Sequence, residues 1–244
     1  MTEFDSSTLV LVAHGSRDPR ALATVRELVE RVRELRPLLD VRLAHIELNE
    51  PLLGDVLDGL GHGRRAVLVP LLLSRGYHVK RDLPRAAEAA RHLVTRVADP
   101  LGPHPLLVDA LHDRLVESGW DGQGGVVLAA SGSRDPDARV DTRRTAGRLA
   151  ERLGVPVVPA YASGGGAGVA AALRDLAGQG CHQYALASYF TAPGRFATEA
   201  ADAFGDGPVA APLGAHPGVA RLVLHRHDRA LLSPVRPARQ LAPA

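Results

Sequence analysis

An internal repeat is the feature that most constrains the fold of this 244-residue chain. The segment Val10–Pro19, with the sequence VLVAHGSRDP, recurs as Val127–Pro136, with the sequence VLAASGSRDP, 117 residues later. The same offset carries the apolar run Val67–Leu73 onto a second apolar run, Tyr184–Phe190. Similarity that holds its register over about 70 residues predicts a chain built from two homologous halves.

Each half alternates short apolar runs, which predict strands, with longer amphipathic runs, which predict helices. In the first half, the predicted strands are Leu9–Ala13, Val41–Glu47, Ala66–Leu73 and Arg96–Ala98, and the predicted helices are Pro19–Arg36, Pro51–Leu60, Asp82–Thr95 and Pro105–Ser118. In the second half, the predicted strands are Val126–Ala130, Val155–Tyr161, Tyr184–Tyr189 and Val209–Ala211. This order predicts an α/β fold: two doubly wound parallel-sheet lobes of about four strands each, with a cleft between them.

The segment Ser118–Gly125 is rich in glycine and is the natural seam between the halves. We therefore expect an N-terminal lobe over residues 1–120 and a C-terminal, degenerate repeat lobe over residues 121–233. The ending, residues 234–244, is rich in proline and alanine and is expected to be a flexible tail.

Composition excludes several classes of protein. The net charge is only +2 and there is no dense basic block, so nucleic acid is not an expected partner. The uncharged run Tyr184–Gly194 contains serine, threonine and proline and is shorter than the roughly 20 apolar residues of a membrane helix. With its polar, acidic first residues, the chain is expected to be cytoplasmic, without membrane association. The single cysteine, Cys181, excludes an internal disulfide, so any metal must be held by nitrogen and oxygen ligands.

Three residues with metal-binding chemistry follow the first three predicted strands. His14 comes directly after strand one, Glu47 ends strand two, and His78 lies in the loop after strand three. Ligands of open parallel sheets bind outside the carboxyl ends of the strands, so these side chains are expected to converge there. Two imidazoles and one carboxylate suit a divalent transition metal with open coordination positions.

The repeat sharpens this hypothesis, because the second half lacks all three candidates. The offset places Ser131, Gly164 and Arg195 at the positions of His14, Glu47 and His78. The shared Gly-Ser-Arg-Asp-Pro sequence occurs in both halves and is interpreted as a turn and helix cap, with Asp18 as the first N-cap. A ligand set confined to one half predicts a single site between two lobes.

Other polar residues have weaker assignments. Residues beside the proposed cleft could bind a ligand that carries carboxylates: Ser16, Arg17, Arg75, Arg134 and Arg195. Among the remaining histidines, His45 is expected to be buried and structural, His104 and His216 to cap helices, and His225 and His227 to lie on a solvated helix face. Cys181 is expected to be inert core.

The motifs around these candidates resemble those of the sirohydrochlorin chelatases, the type II, ATP-independent tetrapyrrole chelatases. They are Val12–Pro19 with its His-Gly-Ser-Arg-Asp-Pro sequence, Ile46–Pro51, and Val69–His78 with its Ser-Arg-Gly-Tyr-His ending. The resemblance implies a lyase-class enzyme that inserts Fe²⁺ or Co²⁺ into sirohydrochlorin, giving sirohaem or a cobalt precursor of cobalamin. It implies that His14, His78 and Glu47 bind the metal and accept pyrrole protons.

The resemblance also implies that the tetrapyrrole and the divalent metal are the partners, with no ATP and no cofactor beyond the substrate metal. A monomer and a homodimer both remain open. Two other readings stay open as well. The chain could be a non-catalytic tetrapyrrole or metal carrier, or a hydrolase or transferase using Ser16 or Ser133, although the serine recurs in both halves without an evident base in the second.

Overall fold

The structure, a computed structural model, describes residues 7–233, so the expected tail over 234–244 lies outside the described residues. It contains two parallel sheets. The first has the order β2-β1-β3-β4 and the second β6-β5-β7. The strands are β1 (Ser7–Ala13), β2 (Asp40–His45), β3 (Arg65–Pro70), β4 (Val94–Val97), β5 (Gly125–Ala130), β6 (Val157–Tyr161) and β7 (Tyr184–Tyr189). The predicted α/β class with two parallel sheets is confirmed.

Helices connect these strands as the repeat predicts. They are α1 (Pro19–Leu35), α2 (Leu53–Asp58), α3 (Leu83–Ala89), α4 (Pro105–Glu117), α5 (Pro136–Leu153), α6 (Val169–Gly178), α7 (Arg195–Phe204) and α8 (Pro217–Leu232). A π-helical turn, His78–Asp82, precedes α3. The prediction of one helix over Asp82–Thr95 is therefore wrong at both ends.

The second sheet has three strands among the described residues, so the prediction of a fourth over Val209–Ala211 is wrong. Only one isolated bridge, Leu186 to Val209, forms there. Pro208 and Pro212 flank the segment and have no N–H to donate to a strand partner. A single bridge remains where the first half has β4.

Local sequence explains why α1 and α5 begin where they do. The Asp18 side chain accepts a hydrogen bond from the Arg20 N–H, and the Asp135 side chain accepts one from the Asp137 N–H. Each aspartate is followed by proline at the first helical position, where a missing N–H costs nothing. The turn-and-cap interpretation of the repeated motif is confirmed in both halves. The apolar face predicted for α1 is also buried: Val25, Leu28, Val29 and Val32.

The last helix of each half packs on the sheet of the other half. Helix α4 packs against α5 and β7, while α8 packs against α1 and β3. Arg114 of α4 donates to the Leu213 carbonyl oxygen, and Arg36, just beyond α1, makes a bidentate ion pair with Asp228 of α8. One apolar core runs continuously from the first sheet to the second through these helices. The two halves are therefore interlocked.

The prediction that His227 faces solvent is wrong. Its side chain is fully buried in α8, with Nε2 2.9 Å from Ser7 Oγ and Nδ1 2.9 Å from Asp228 Oδ1. Burial lowers the pKa of His227, against the opposing effect of Asp228. The ring thus connects β1 of the first half to α8, the last helix of the second half. Its neighbour His225 is exposed, as predicted.

None of the helices within residues 7–233 combines the length and apolar character needed to cross a membrane.

Candidate functional site

A cavity of about 1200 Å³ lies where the carboxyl ends of both sheets meet. Ala13 and Ala130, the last residues of β1 and β5, both line it, as do Tyr161 and Tyr189 at the ends of β6 and β7. His14, Glu47 and His78 all line the same cavity. The three side chains predicted to converge therefore do so.

His14 and Glu47 are held together by close packing of their main chains. Gly15 has φ +102°, and a Cβ atom at this position would lie 1.8 Å from the Glu47 carbonyl oxygen, so only glycine fits. The Glu47 N–H donates to the His14 carbonyl oxygen at 3.1 Å, and the Ser16 N–H donates to Asn49 Oδ1 at 2.7 Å. These contacts bring His14 Nε2 to 3.5 Å from Glu47 Oε1. Glu47 lies two residues beyond the end of β2, not at its last position.

His78 begins the π-helical turn. Its ring centroid lies 4.7 Å from that of His14, with the ring planes nearly perpendicular at 85°. His78 Nδ1 is 2.6 Å from Asp82 Oδ2, one turn further on. A carboxylate at this distance fixes the proton on Nδ1 and the ring orientation, which leaves Nε2 as the nitrogen able to bind a metal.

Directly before the π-helical turn, the first half has one residue more than the second. Before it, Gly76 faces Ser133 as Gly194 faces Ser16, an offset of 118 residues. After it, Asp82 and Glu199 correspond at an offset of 117, since each is the i+4 partner of the residue that begins its helical segment. Single-turn π-helical segments are frequent at functional sites, and here the segment begins at His78.

The counterparts in the second half retain the backbone and lack the ligands. Gly132 packs against the Ser163 carbonyl oxygen as Gly15 packs against that of Glu47. The counterpart of Glu47 is therefore Ser163, and the predicted alignment with Gly164 is wrong by one residue. Ser163 Oγ donates to the Ser131 carbonyl oxygen at 2.6 Å. Arg195 replaces His78 and pairs with Glu199, its Nη1 3.4 Å from Oε1.

The site is open and offers few ligands. Within residues 7–233, no three His, Cys, Asp or Glu side chains are arranged to hold a metal ion between them. His14 and His78 are both partly exposed, at 42% and 35% of their side-chain surface. Two imidazoles bind borderline metals such as Fe²⁺ and Co²⁺ while leaving most coordination positions free for another ligand.

The predicted carboxylate-binding residues separate into two groups. Ser16, Arg17 and Arg195 line the cavity, whereas Arg75 and Arg134 are not among its lining residues. Arg75 is instead hydrogen-bonded to Asp141, which raises the pKa of its guanidinium.

The two motif serines, Ser16 and Ser133, have matching structural roles. Ser16 Oγ accepts the Asp18 N–H, and Ser133 Oγ accepts the Asp135 N–H, each at 3.1 Å. The same turn in both halves explains why the serine is repeated and argues against a nucleophile.

Three expectations about other residues are confirmed. His45 is buried, which lowers its pKa, and its Nδ1 lies 3.3 Å from the Pro51 carbonyl oxygen. His104 and His216 cap α4 and α8 by accepting main-chain N–H groups. Cys181 is buried.

The sequence reasoning missed the aromatic lining of the cavity. The chain has only four tyrosines and four phenylalanines, and five of these eight residues line the cavity: Tyr77, Tyr161, Tyr189, Phe190 and Phe196. It also missed Arg139, which lines the second-half wall and donates to the Gly164 carbonyl oxygen. The scarcity of aromatic residues, and their position at predicted strand ends, was the available signal.

The family model for CbiX matches the chain twice, over residues 8–118 and 125–230. The chain belongs to the CbiX family. The double match follows the internal repeat and spans almost all of the described residues, so the resemblance inferred from the motifs is confirmed.

Curated proteins similar to this CbiX-family chain carry two activities in their names. A chloroplastic sirohydrochlorin ferrochelatase of Arabidopsis thaliana is 32% identical over 117 residues, 46% of this chain and 52% of the relative. A sirohydrochlorin cobaltochelatase of Methanococcus aeolicus is 33% identical over 79 residues, 32% of this chain and 55% of the relative. The chain thus spans about half the length of these relatives.

Among solved structures, SirB from Bacillus subtilis with Fe³⁺ is similar to this chain over 92% of its length and 95% of SirB. The TM-score is 0.74 at 23% sequence identity, a level that shows a shared fold.

Proposed function

We propose that this protein is a sirohydrochlorin chelatase, a lyase-class enzyme that inserts Fe²⁺ or Co²⁺ into sirohydrochlorin. The observation that carries the proposal is the placement of two imidazoles, His14 and His78, 4.7 Å apart at the edge of a large cavity. The names of the relatives, which include both ferrochelatases and cobaltochelatases, support the same reaction.

In the proposed reaction, His14 and His78 bind the metal ion through their ring nitrogens. Two ligands hold a substrate metal weakly enough for transfer, whereas a closed four-ligand site would retain it. Asp82 keeps His78 in the tautomer that presents Nε2. The open coordination positions face the cavity in which the macrocycle binds.

Insertion releases two protons as the metal replaces the hydrogens on two pyrrole nitrogens. Glu47 lies 3.5 Å from His14 Nε2 and exposes 54% of its side chain. A carboxylate between a ring nitrogen and solvent can accept a proton and pass it to water. We therefore assign Glu47 to proton removal beside His14.

The cavity suits a flat, partly apolar ligand with acidic substituents. At about 1200 Å³ it exceeds the usual range for small-molecule sites, which extends to roughly 1000 Å³. The aromatic side chains Tyr77 and Phe196 would contact the faces of the macrocycle, while Arg17, Arg139 and Arg195 would bind its carboxylates. The two substrates, tetrapyrrole and metal, are the partners we propose, with no requirement for ATP.

The decisive experiment replaces each histidine and follows metal insertion by the change in tetrapyrrole absorbance, under anaerobic conditions and with both metals. We expect His14→Ala and His78→Ala each to lower kcat/KM by at least about 100-fold, because each removes a metal ligand. His182→Ala is the matched control, since His182 is exposed and does not line the cavity.

Rates equal to those of the unaltered chain in both ligand variants would contradict the assignment. A chain that binds sirohydrochlorin and metal without accelerating insertion would instead be a carrier using the same cleft.

A further inference from the structure

The C-terminal half contains none of the proposed ligands, yet it contacts the segment that presents His78. This segment, residues 73–82, begins three residues after the end of β3 and includes the π-helical turn. Three separate interactions connect it to side chains of the second half. For brevity we call these interactions the Tyr189, Arg75 and Lys80 ties.

The Tyr189 tie joins the start of the segment to β7. Tyr189 Oη donates to the Leu73 carbonyl oxygen at 3.1 Å and lies 3.2 Å from Thr145 Oγ1. Tyr189 is only 2% exposed, so its hydroxyl cannot be exchanged for a water contact without repacking.

The Arg75 tie joins the middle of the segment to α5. The Arg75 main-chain N–H donates to Asp141 Oδ2 at 3.0 Å, and Arg75 Nη2 donates to Oδ1 at 2.7 Å. The Asp141 side chain is 1% exposed. A buried carboxylate is costly without its partner, so moving residue 75 away from Asp141 is strongly unfavourable.

The Lys80 tie joins the π-helical turn itself to the beginning of α5. Lys80, the only lysine in the sequence, places Nζ 2.8 Å from Asp137 Oδ2 and 2.7 Å from Asp135 Oδ2. It lies two residues after His78. Because Asp135 and Asp137, at 17% and 46% of their side-chain surface, are more exposed than Asp141, we expect this tie to be the weaker of the two ion pairs.

The positions related by symmetry to Arg75, Lys80 and Asp141 are uncharged. At the offset of 117, Thr24 corresponds to Asp141 and Ala197 to Lys80, and Pro193 corresponds to Arg75 at the offset of 118. Thr24 and Pro193, the counterparts of Asp141 and Arg75, line a second cavity of about 780 Å³. The Arg75–Asp141 pair, on the side that carries a metal ligand, is thus replaced by uncharged residues beside a cavity on the other side, and Lys80 is replaced by alanine.

From this asymmetry we infer that the C-terminal half positions His78 for metal binding, through Asp141 on Arg75 and through Asp135 and Asp137 on Lys80. His14 is fixed by its own half, through Gly15 and Glu47. The distance between the two imidazoles is therefore set across the interface between the halves. Asp141 and Lys80 are positioning residues, and the inference rests on the proposed function for its role in catalysis.

The test measures Co²⁺ binding to the full chain without tetrapyrrole, from the visible absorption of bound cobalt, alongside kcat, KM and the melting temperature. Lys80→Met removes the charge from an exposed site and is expected to keep the fold. We expect the Kd for Co²⁺ to rise and kcat to fall by about 10-fold, because a displaced catalytic group can cost up to roughly 100-fold. KM for the tetrapyrrole should stay unchanged, and Lys80→Arg should restore binding.

Asp141→Asn should have the larger effect on the Kd for Co²⁺, because its carboxylate is buried; if this variant fails to fold, Lys80→Met decides the matter. Arg42→Met is the control. It removes an exposed ion pair, Arg42 Nε to Asp40 Oδ1 at 2.7 Å, at the opposite end of the sheet.

Two outcomes separate this inference from the proposed function. Unchanged Co²⁺ affinity and kcat in Lys80→Met, with an active unaltered chain, would overturn the positioning role and leave the chelatase proposal intact. If the unaltered chain binds Co²⁺ but inserts no metal, the chelatase proposal fails, and the binding constants still decide whether the second half positions His78.

Discussion

The two halves of this protein share a backbone and differ in the chemistry placed on it. At the end of the first strand, both halves have a glycine with positive φ packed against a carbonyl oxygen, a serine turn and an aspartate cap. His14 stands on this scaffold in one half and Ser131 in the other. The strand-end loops are therefore maintained by packing, and the chemistry depends on a few side chains that can be lost without loss of the fold.

The largest expected effect comes from the two turn glycines. Gly15→Ala and Gly132→Ala should each reduce the free energy of unfolding by about 3 kcal/mol, because both have positive φ and a Cβ would overlap a carbonyl oxygen. Only Gly15→Ala should also abolish Co²⁺ binding, since it displaces His14 from Glu47.

Urea unfolding and cobalt titration measure the two quantities separately. Gly147→Ala is the control, because this helical glycine has open space around it and alanine favours the helix. Equal loss of cobalt binding in Gly15→Ala and Gly132→Ala would contradict the assignment of the site to one half.

The next effect concerns Asp82 and Glu199, the carboxylates four residues after His78 and Arg195. Asp82→Asn should weaken Co²⁺ binding by about 10- to 100-fold, because Nδ1 of His78 loses the carboxylate that fixes its tautomer. Glu199→Gln, which alters the corresponding pair with Arg195, should leave the Kd for Co²⁺ unchanged. An unchanged Kd in Asp82→Asn, measured by cobalt titration, would show that metal binding does not depend on His78 orientation.

A smaller effect is expected at Arg195. Arg195→Ala should raise KM for sirohydrochlorin about fivefold, since an exposed charge pair contributes at most about 1 kcal/mol. Its guanidinium carbon lies 4.5 Å from the centroid of the Phe196 ring, at the cavity wall. Steady-state kinetics measures this change, with Arg174→Ala as the control. An unchanged KM in Arg195→Ala would exclude a carboxylate-binding role for Arg195.

The smallest expected effect concerns His104 and His216, the caps of α4 and α8. Burial lowers the pKa of His104 to about 4. Burial also lowers the pKa of His216, but the nearby Asp113 carboxylate opposes this effect. Between about pH 6.5 and 4, the unfolded chain binds a proton that folded His104 does not, so the free energy of unfolding falls as the pH falls.

His104→Asn keeps a capping side chain and should reduce this fall more than His216→Asn does. Urea titrations at pH 7 and pH 5 give the fall in the free energy of unfolding between the two pH values. An equal fall in both variants and in the unaltered chain would exclude the proposed role of His104.

Local sequence was sufficient to predict the strands that carry the site. An apolar run followed by Gly-Ser-Arg-Asp-Pro determines a strand, a turn and a capped helix through interactions a few residues apart, and the sheet rule then brought His14, Glu47 and His78 together. Residues whose roles depend on distant contacts could not be assigned this way. Arg75 was expected at the ligand, but its partner Asp141 lies 66 residues away in sequence.

The packing of α4 and α8 against the sheet of the other half explains a second failure of prediction. An amphipathic pattern states that a helix has a buried face, without stating which sheet covers it. His227 was therefore placed in solvent, although α8 buries it against Ser7 of the other half. A constant offset of 117 also could not show shifts of one residue between the halves, such as the shift that aligns Glu47 with Ser163 instead of Gly164.

Anomalous diffraction from crystals with one equivalent of Co²⁺ per chain would locate the metal in the protein. We expect a single strong peak within bonding distance of His14 and His78, and no peak beside Ser131 and Arg195. A dominant peak elsewhere in the molecule, or peaks of equal height at the two related positions, would contradict a single metal site retained by one half of the repeat.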